Sequence, residues 1–173
     1  VITTDVRRAL SDAAIRYPDV VFFADSRSRT LDFANIITKP NRSELPGNHT
    51  QMTDRASAEN TALMQAVREA RAINNAPLFV TLGGDGIMVS DPEPLRIPGF
   101  KVEGPTDITG AGDAAAAAIV CALASGAHFE EAALLGNLAA SVSVEKLGEC
   151  GSCSLSELDE RFGAWLSRAS GDE

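Results

Sequence analysis

The stretch "DITGAGDAAAAA", Asp107 to Ala118, decides how this chain is read. Gly110, Ala111 and Gly112 lead into a carboxylate, Asp113, and a run of alanines follows. The pattern predicts a helix from Ala114 to Ser125, stopped by Gly126. A helix N-terminus presents unpaired N–H groups and the positive end of the helix dipole. Gly-Ala-Gly has no bulk to keep an anion from those groups. The competing reading is a plain turn in which Asp113 caps the helix, a task aspartate does well. A cap needs one good residue. It leaves unexplained a glycine on each side of an alanine, behind Asp107 and Thr109.

Working outward, strands and helices alternate. "TTDVRRALSDAAIRYP" has a Thr/Asp start and apolar Val6, Leu10, Ala13 and Ala14, so it reads as an amphipathic helix ended near Pro18. "DVVFFAD" is a continuous β-prone run and reads as a buried parallel strand. "NIITKPN" is a short strand closed by Pro40. "SAENTALMQAVREARAIN" is a long helix with Leu63, Val67 and Ala70 on one face. "PLFVTLGGDGIMVS" gives two strands, Leu78 to Thr81 and Ile87 to Ser90, around the turn Gly83-Gly84-Asp85-Gly86. "RIPGFKVEG" adds edge-like extended segments. Past the opening motif, "FEEAALLGNLAASVSVEKLG" is a helix stopped by Gly148. "SLSELDERFGAWLSRA" is another, starting at a capping box on Ser154 or Ser156. There is no repeat, linker or domain boundary, so one domain over residues 1–173 is expected, of α/β class with a mostly parallel sheet.

Composition removes several functions. The formal net charge of -9 opposes binding to nucleic acid or to an anionic membrane surface, since both need a basic face. It leaves a small-anion site open. The most apolar run, Ala114 to Ala124, is far short of the ~20 residues that span a bilayer. Position 1 is Val and no basic, then apolar, leader follows, so no signal peptide is expected. Of the cysteines, Cys121, Cys150 and Cys153, the last two form "CGSC". His49 and His128 lie at no zinc-ligand spacing from them, and a redox CxxC normally opens a helix after a strand. They read as ordinary reduced thiols of a cytoplasmic protein.

Two nucleotide motifs compete for the Gly-rich stretch. No GK[ST] follows, so it is not a Walker A loop. "GAGDAA" matches the loose dinucleotide form GxGxxA, but that turn needs a strand directly before it. Pro105 and polar residues stand there instead.

"DITGAGD" resembles the DTxGAGD signature of the ribokinase-like (PfkB) carbohydrate kinases. "KPNRSE" (Lys39 to Glu44) resembles that family's N-x-x-E motif, and "VTLGGDG" (Val80 to Gly86) its T-L-G-x-x-G strand and turn. "GNLAASVSVEKLG" (Gly136 to Gly148) resembles its C-terminal nucleotide-side helix. The motifs occur in the family's order over nearly the entire chain. Ile108, where the family often has threonine, is expected to point away from the site. "KPNRSE", "DITGAGD" and "EKLG" are most similar to the heptose-phosphate kinase branch, which serves ADP-heptose synthesis.

The resemblance implies a three-layer α/β/α fold and a function: ATP-dependent phosphorylation of a sugar or sugar-phosphate hydroxyl. It makes Asp113 the base that takes the acceptor proton and the backbone of Gly110, Ala111 and Gly112 the anion hole. Asn41 and Glu44 would hold the magnesium–phosphate end of ATP, Glu44 through a metal-bound water; the structural alternative is a cap and its capping-box partner. Thr81, Gly83 and Gly86 would face the phosphates and ribose, with a plain hairpin turn as the alternative. Asn137 would lie near the adenine, against an ordinary polar helix residue. K⁺ would be held by Asp107, Thr109, Ser143, Lys146, Gly148 and Ser152, mostly through carbonyls. A homodimer is an expected assembly.

Nothing here corresponds to the family's first strands, lid, sugar-binding residues and Gly-rich first signature. The expectation is therefore the C-terminal, nucleotide-binding portion of such a kinase, carrying the ATP site and the base without the acceptor site. The alternative is a nucleotide-binding or assembly module with no kinase activity of its own.

Overall fold

The computed structural model describes residues 2–26, 29–47 and 56–170, with the side chains of 56–59 left aside. The histidine at 49, considered above as a metal ligand, lies outside them. The elements run α1 (Thr4–Arg16), β1 (Phe23–Ala24), β2 (Ile37–Thr38), α2 (Ala56–Asn74), β3 (Phe79–Thr81), β4 (Ile87–Val89), β5 (Leu95–Ile97), α3 (Ala111–Ala124), α4 (Phe129–Ser143) and α5 (Leu155–Ser170). Single 3₁₀ turns stand at Thr30–Asp32, Arg42–Glu44 and Gly83–Asp85. The residues gather into two compact units: Val1–Leu82 with Met88–Arg96, and Gly83–Ile87 with Ile97–Glu173. None of the described helices is long and apolar enough to cross a membrane.

In the first unit, β1 and β2 pair in parallel, Phe23 opposite Ile37 and Ala24 opposite Thr38. Parallel bridges Thr38–Leu78 and Asn41–Thr81 continue the ladder to β3. β4 follows β3, and β5 lies at the edge of the order β3-β4-β5, as its exposed sequence predicts. Against these strands α2 lays the predicted face. Leu63, Val67 and Ala70 join Leu45, Ala66, Leu78, Val80 and Met88 in one buried cluster. Removing such a side chain typically costs ~2–5 kcal/mol. α2 stops where Asn75 takes a left-handed conformation, φ 57°, with its N–H on Arg71 O at 2.9 Å.

The expected buried strand "DVVFFAD" is corrected. Only Phe23 and Ala24 form ladder, both half-buried, and Val20 is exposed. An apolar run sets a strand's propensity; burial needs a covering layer, and α1 buries none of its residues. α1 otherwise matches its pattern, with Thr3 accepting from Val6 N at the start and Tyr17 ending it before Pro18.

The second unit is built on α3 and α4. Ala115, Ile119, Ala132, Ala133 and Leu138 are buried in it. The two helices cross closely at Gly136, where an added Cβ would lie 2.8 Å from Ile119 Cγ1. Two predicted boundaries move. α3 begins at Ala111 rather than Ala114, because Gly110 takes the left-handed conformation, φ 82°, and acts as N-cap. α4 ends at Ser143 rather than at Gly148; Val144 to Gly148 form turns instead. α5 starts at the predicted capping box, with Ser154, not Ser156, donating to and accepting from the Glu157 end.

Candidate functional site

Two groups of sequence-predicted residues are each assembled within one unit. In the second unit the mouth of α3 meets the end of α4. Asp107 Oδ1 accepts from Thr109 N at 2.9 Å, and Oδ2 accepts from Gly148 N at 3.3 Å. Asp107 N donates to Val144 O at 2.8 Å. The Thr109 hydroxyl, then the amides of Thr109 and Gly148, hold the Asp107 carboxyl below the ordinary aspartate range. This carboxylate therefore ties the segment before α3 to the turns after α4.

Gly110 is fixed for two reasons. Its φ of 82° disfavours any L side chain, and an added Cβ would lie 2.9 Å from Gly151 N. Gly151 is equally confined, since its Cβ would sit 2.1 Å from Ser143 Oγ. Neither the close approach nor Gly151 itself was found from sequence. The glycine inside "CGSC" was the available signal.

The first turn of α3 then offers its donors unevenly. Ala111 N is engaged by Ile108 O at 3.2 Å, and Ala114 N by Gly110 O at 2.9 Å. Among the described residues no acceptor is found for the N–H groups of Gly112 and Asp113. Asp113 is the third helical residue, not the cap, and its side chain is exposed and makes no hydrogen bond with the described residues. The reading of Asp113 as a capping residue is thus corrected: a left-handed glycine already starts the helix without a side-chain cap. An exposed carboxylate remains beside open amides. Ile108 is 82% exposed.

The other second-unit residues have structural partners. Asn137 is buried and its Nδ2 donates to Ile97 O at 3.0 Å and Pro98 O at 3.1 Å, so it pins the chain leaving β5. Gly86 has φ 102°, and a Cβ there would lie 2.2 Å from Ile97 O. Gly99 is pressed on Gly84 O in the same way, at 2.5 Å. Gly83, φ 62°, faces open space. Lys146 Nζ donates to Ser152 O at 2.7 Å and pairs with Glu157 at 2.7 Å. Lys146, then the Ser154 hydroxyl and amide, bring the Glu157 pKa down to about 2. Ser143 Oγ is buried and without a hydrogen-bond partner among the described residues.

In the first unit Asn41 ends the β2 extension and starts a 3₁₀ turn. Its Oδ1 accepts from Ser43 N at 2.9 Å, while Glu44 Oε2 accepts from Asn41 N at 2.7 Å. This is the capping box that sequence offered as the structural alternative. The box uses one Glu44 oxygen; Oε1 is buried with no hydrogen-bond partner among the described residues. Thr81 N donates to Pro40 O at 2.9 Å, placing Thr81 next to Asn41 on the ladder. Lys39, not singled out from sequence, is buried with its Nζ 2.8 Å from Asp25. The Asp at the end of "FFAD" and the Lys of "TKPN" carried that signal, but their pairing depends on the β1–β2 register.

The chain is similar to known proteins over most of its length. A family model described as pfkB family carbohydrate kinase matches residues 8–156. The bifunctional protein HldE of Sulfurimonas denitrificans is 32% identical over 139 residues, covering 80% of this chain and 28% of its own. Phosphofructokinase-2 from Escherichia coli, solved in complex with potassium, superposes with TM-score 0.74 at 23% identity, over 96% of this chain and 53% of that one. Ribokinase from Arabidopsis thaliana, complexed with ribose and ATP, superposes with TM-score 0.68 at 23% identity, over 91% and 51%. The fold is accordingly ribokinase-like α/β. The chain spans under a third of the HldE protein and about half of each solved kinase.

Proposed function

We propose that this chain, which belongs to the pfkB family of carbohydrate kinases, carries the phosphoryl-transfer site of a kinase acting on a sugar or sugar-phosphate hydroxyl. The observation that carries the reading is the mouth of α3. Asp113 is exposed there and has no hydrogen-bond partner among the described residues, beside the open N–H groups of Gly112 and Asp113. Asp113 takes the proton of the acceptor hydroxyl while that oxygen attacks the γ-phosphorus of ATP. The bond from phosphorus to the bridging oxygen breaks, and ADP leaves. The first-turn amides and the helix dipole stabilise charge on the transferred group. Little else is asked of the protein than position and charge.

The remaining assignments rest on the family resemblance together with local chemistry. Glu44 Oε1, buried and unpartnered, suits an acceptor for a water on nucleotide-bound magnesium. Magnesium, when bound, neutralises phosphate charge. Asn41 and Thr81 would serve the same end of the nucleotide. Gly83 and Gly86 would permit close backbone approach, and Asn137 would border the adenine by holding the 97–98 backbone. Ser143 Oγ, also buried and unpartnered, suits a K⁺ ligand with oxygens of Asp107, Thr109, Lys146, Gly148 and Ser152. Within the family, the resemblance to the heptose-phosphate kinase branch and the HldE relative favour a heptose phosphate as acceptor.

ADP release by the full-length protein, measured with MgATP and a panel of sugars and sugar phosphates, tests the proposal. Acceptor-dependent release is expected, greatest with a heptose phosphate. MgATP binding with no release for any acceptor would overturn the kinase reading in favour of a binding or assembly module.

A further inference from the structure

The CxxC pair acquires a different meaning from its place in the fold. Cys150 is exposed, Cys153 is half-buried, and both are free thiols. Between them, Gly151 abuts both Gly110 at the mouth of α3 and Ser143 at the end of α4. Gly151 N also donates to Thr109 O at 3.5 Å, and Ser152 O receives the Lys146 ammonium at 2.7 Å. Residues 150–154 run here without a turn or bend. Three residue steps of such chain reach up to ~10 Å. A disulfide requires its Cα atoms about 4.4–6.8 Å apart. Closing the pair therefore forces a turn at Gly151 and Ser152. Gly151 and Ser152 are the residues that hold the contacts with Gly110, Ser143 and Lys146.

We propose that Cys150 and Cys153 form a thiol–disulfide switch whose closure withdraws Gly151 from the mouth of α3 and loosens the first turn there. The chemistry is exchange with a small-molecule disulfide. The Cys150 thiolate attacks one sulfur of the oxidant, forming a mixed disulfide and releasing one thiol. The Cys153 thiolate then displaces the second thiol, so two protein thiols are oxidised as one disulfide is reduced. Exposure makes Cys150 the entry point. The switch stands independently of the kinase reading, because its readouts are thiols and amides rather than turnover.

The test titrates the full-length protein with oxidised and reduced glutathione, then counts alkylatable thiols by peptide mapping and measures hydrogen exchange. Oxidation is expected to remove the Cys150 and Cys153 thiols together while leaving Cys121 alkylatable. Exchange at Ala111 and Ala114, whose amides are bonded to Ile108 O and Gly110 O, is expected to rise about tenfold, the scale of one lost backbone hydrogen bond. Cys150→Ser and Cys153→Ser, separately, should abolish the exchange response, and Cys121→Ser should retain it. Thiols that persist at a large excess of oxidised glutathione would overturn the proposal. So would a disulfide that forms with unchanged exchange at Ala111 and Ala114, or a response that survives in Cys150→Ser.

Discussion

Replacing Asp113 by asparagine separates catalysis from helix stability, because the structure assigns this side chain no structural partner. Gly110 starts α3 by its own left-handed conformation, and the Asp113 carboxylate makes no hydrogen bond with the described residues. What the charge contributes to folding is its interaction with the helix dipole, about 0.3–1 kcal/mol in a first turn. For a chain of this size that is a shift of about 1–4 °C in Tm. Loss of a general base typically costs ~10²–10⁴-fold in rate, which is about 2.7–5.5 kcal/mol of barrier. The two effects differ enough to be read in one variant. Asp113→Asn in the full-length protein should keep Tm within a few degrees and keep its MgATP affinity. Acceptor-dependent ADP release should fall at least ~10²-fold. Thermal denaturation, calorimetric nucleotide titration and coupled ADP assay measure the three quantities. A variant that melts more than about 5 °C early, yet turns over within tenfold of the parent when folded, would refute the assignment of Asp113 as base.

Glu44→Gln keeps the shape of the capping box but removes charge from the buried Oε1 side, so magnesium dependence of turnover should weaken with Tm nearly unchanged; an unaltered magnesium titration counts against the role. If the oxygens around Ser143 hold K⁺, activity should fall when K⁺ is replaced by tetramethylammonium at equal ionic strength, and equal activity removes the idea. Glu157, its pKa lowered to about 2 chiefly by Lys146, stabilises the fold above its unfolded pKa near 4.5. That contribution is lost as pH falls from 4.5 through about 2, so Glu157→Gln should melt earlier than the parent at pH 7 and converge with it at the acid end. Parallel melting curves across that window would show that the Lys146–Glu157 pair adds nothing.

The sequence by itself determined the elements and their order. Leu63, Val67 and Ala70 recur at helical spacing, and that spacing alone fixes which face of α2 enters the core. A capping box on Ser154 or Ser156 located the start of α5 to within two residues, and Gly83 to Gly86 the turn between β3 and β4, because caps and turns are set by neighbours in the chain. The four ordered motifs were enough for the family, which the model matched over residues 8–156 bears out. Tertiary structure decided the rest. It shows that the cap is not Asp113 but Gly110, left-handed and packed against Gly151, forty-one residues later. It turns Gly86 from a turn residue into a close contact with Ile97, presses Gly99 of the extended segment on Gly84 O, and makes Asn137 the pin of that segment. It pairs the buried Lys39 with Asp25 through the β1–β2 register. Periodicity and capping are written in dihedral preferences a few residues long. Which glycine must yield to which backbone, and which carboxylate is left without a partner, depends on approaches between distant segments that no local preference encodes.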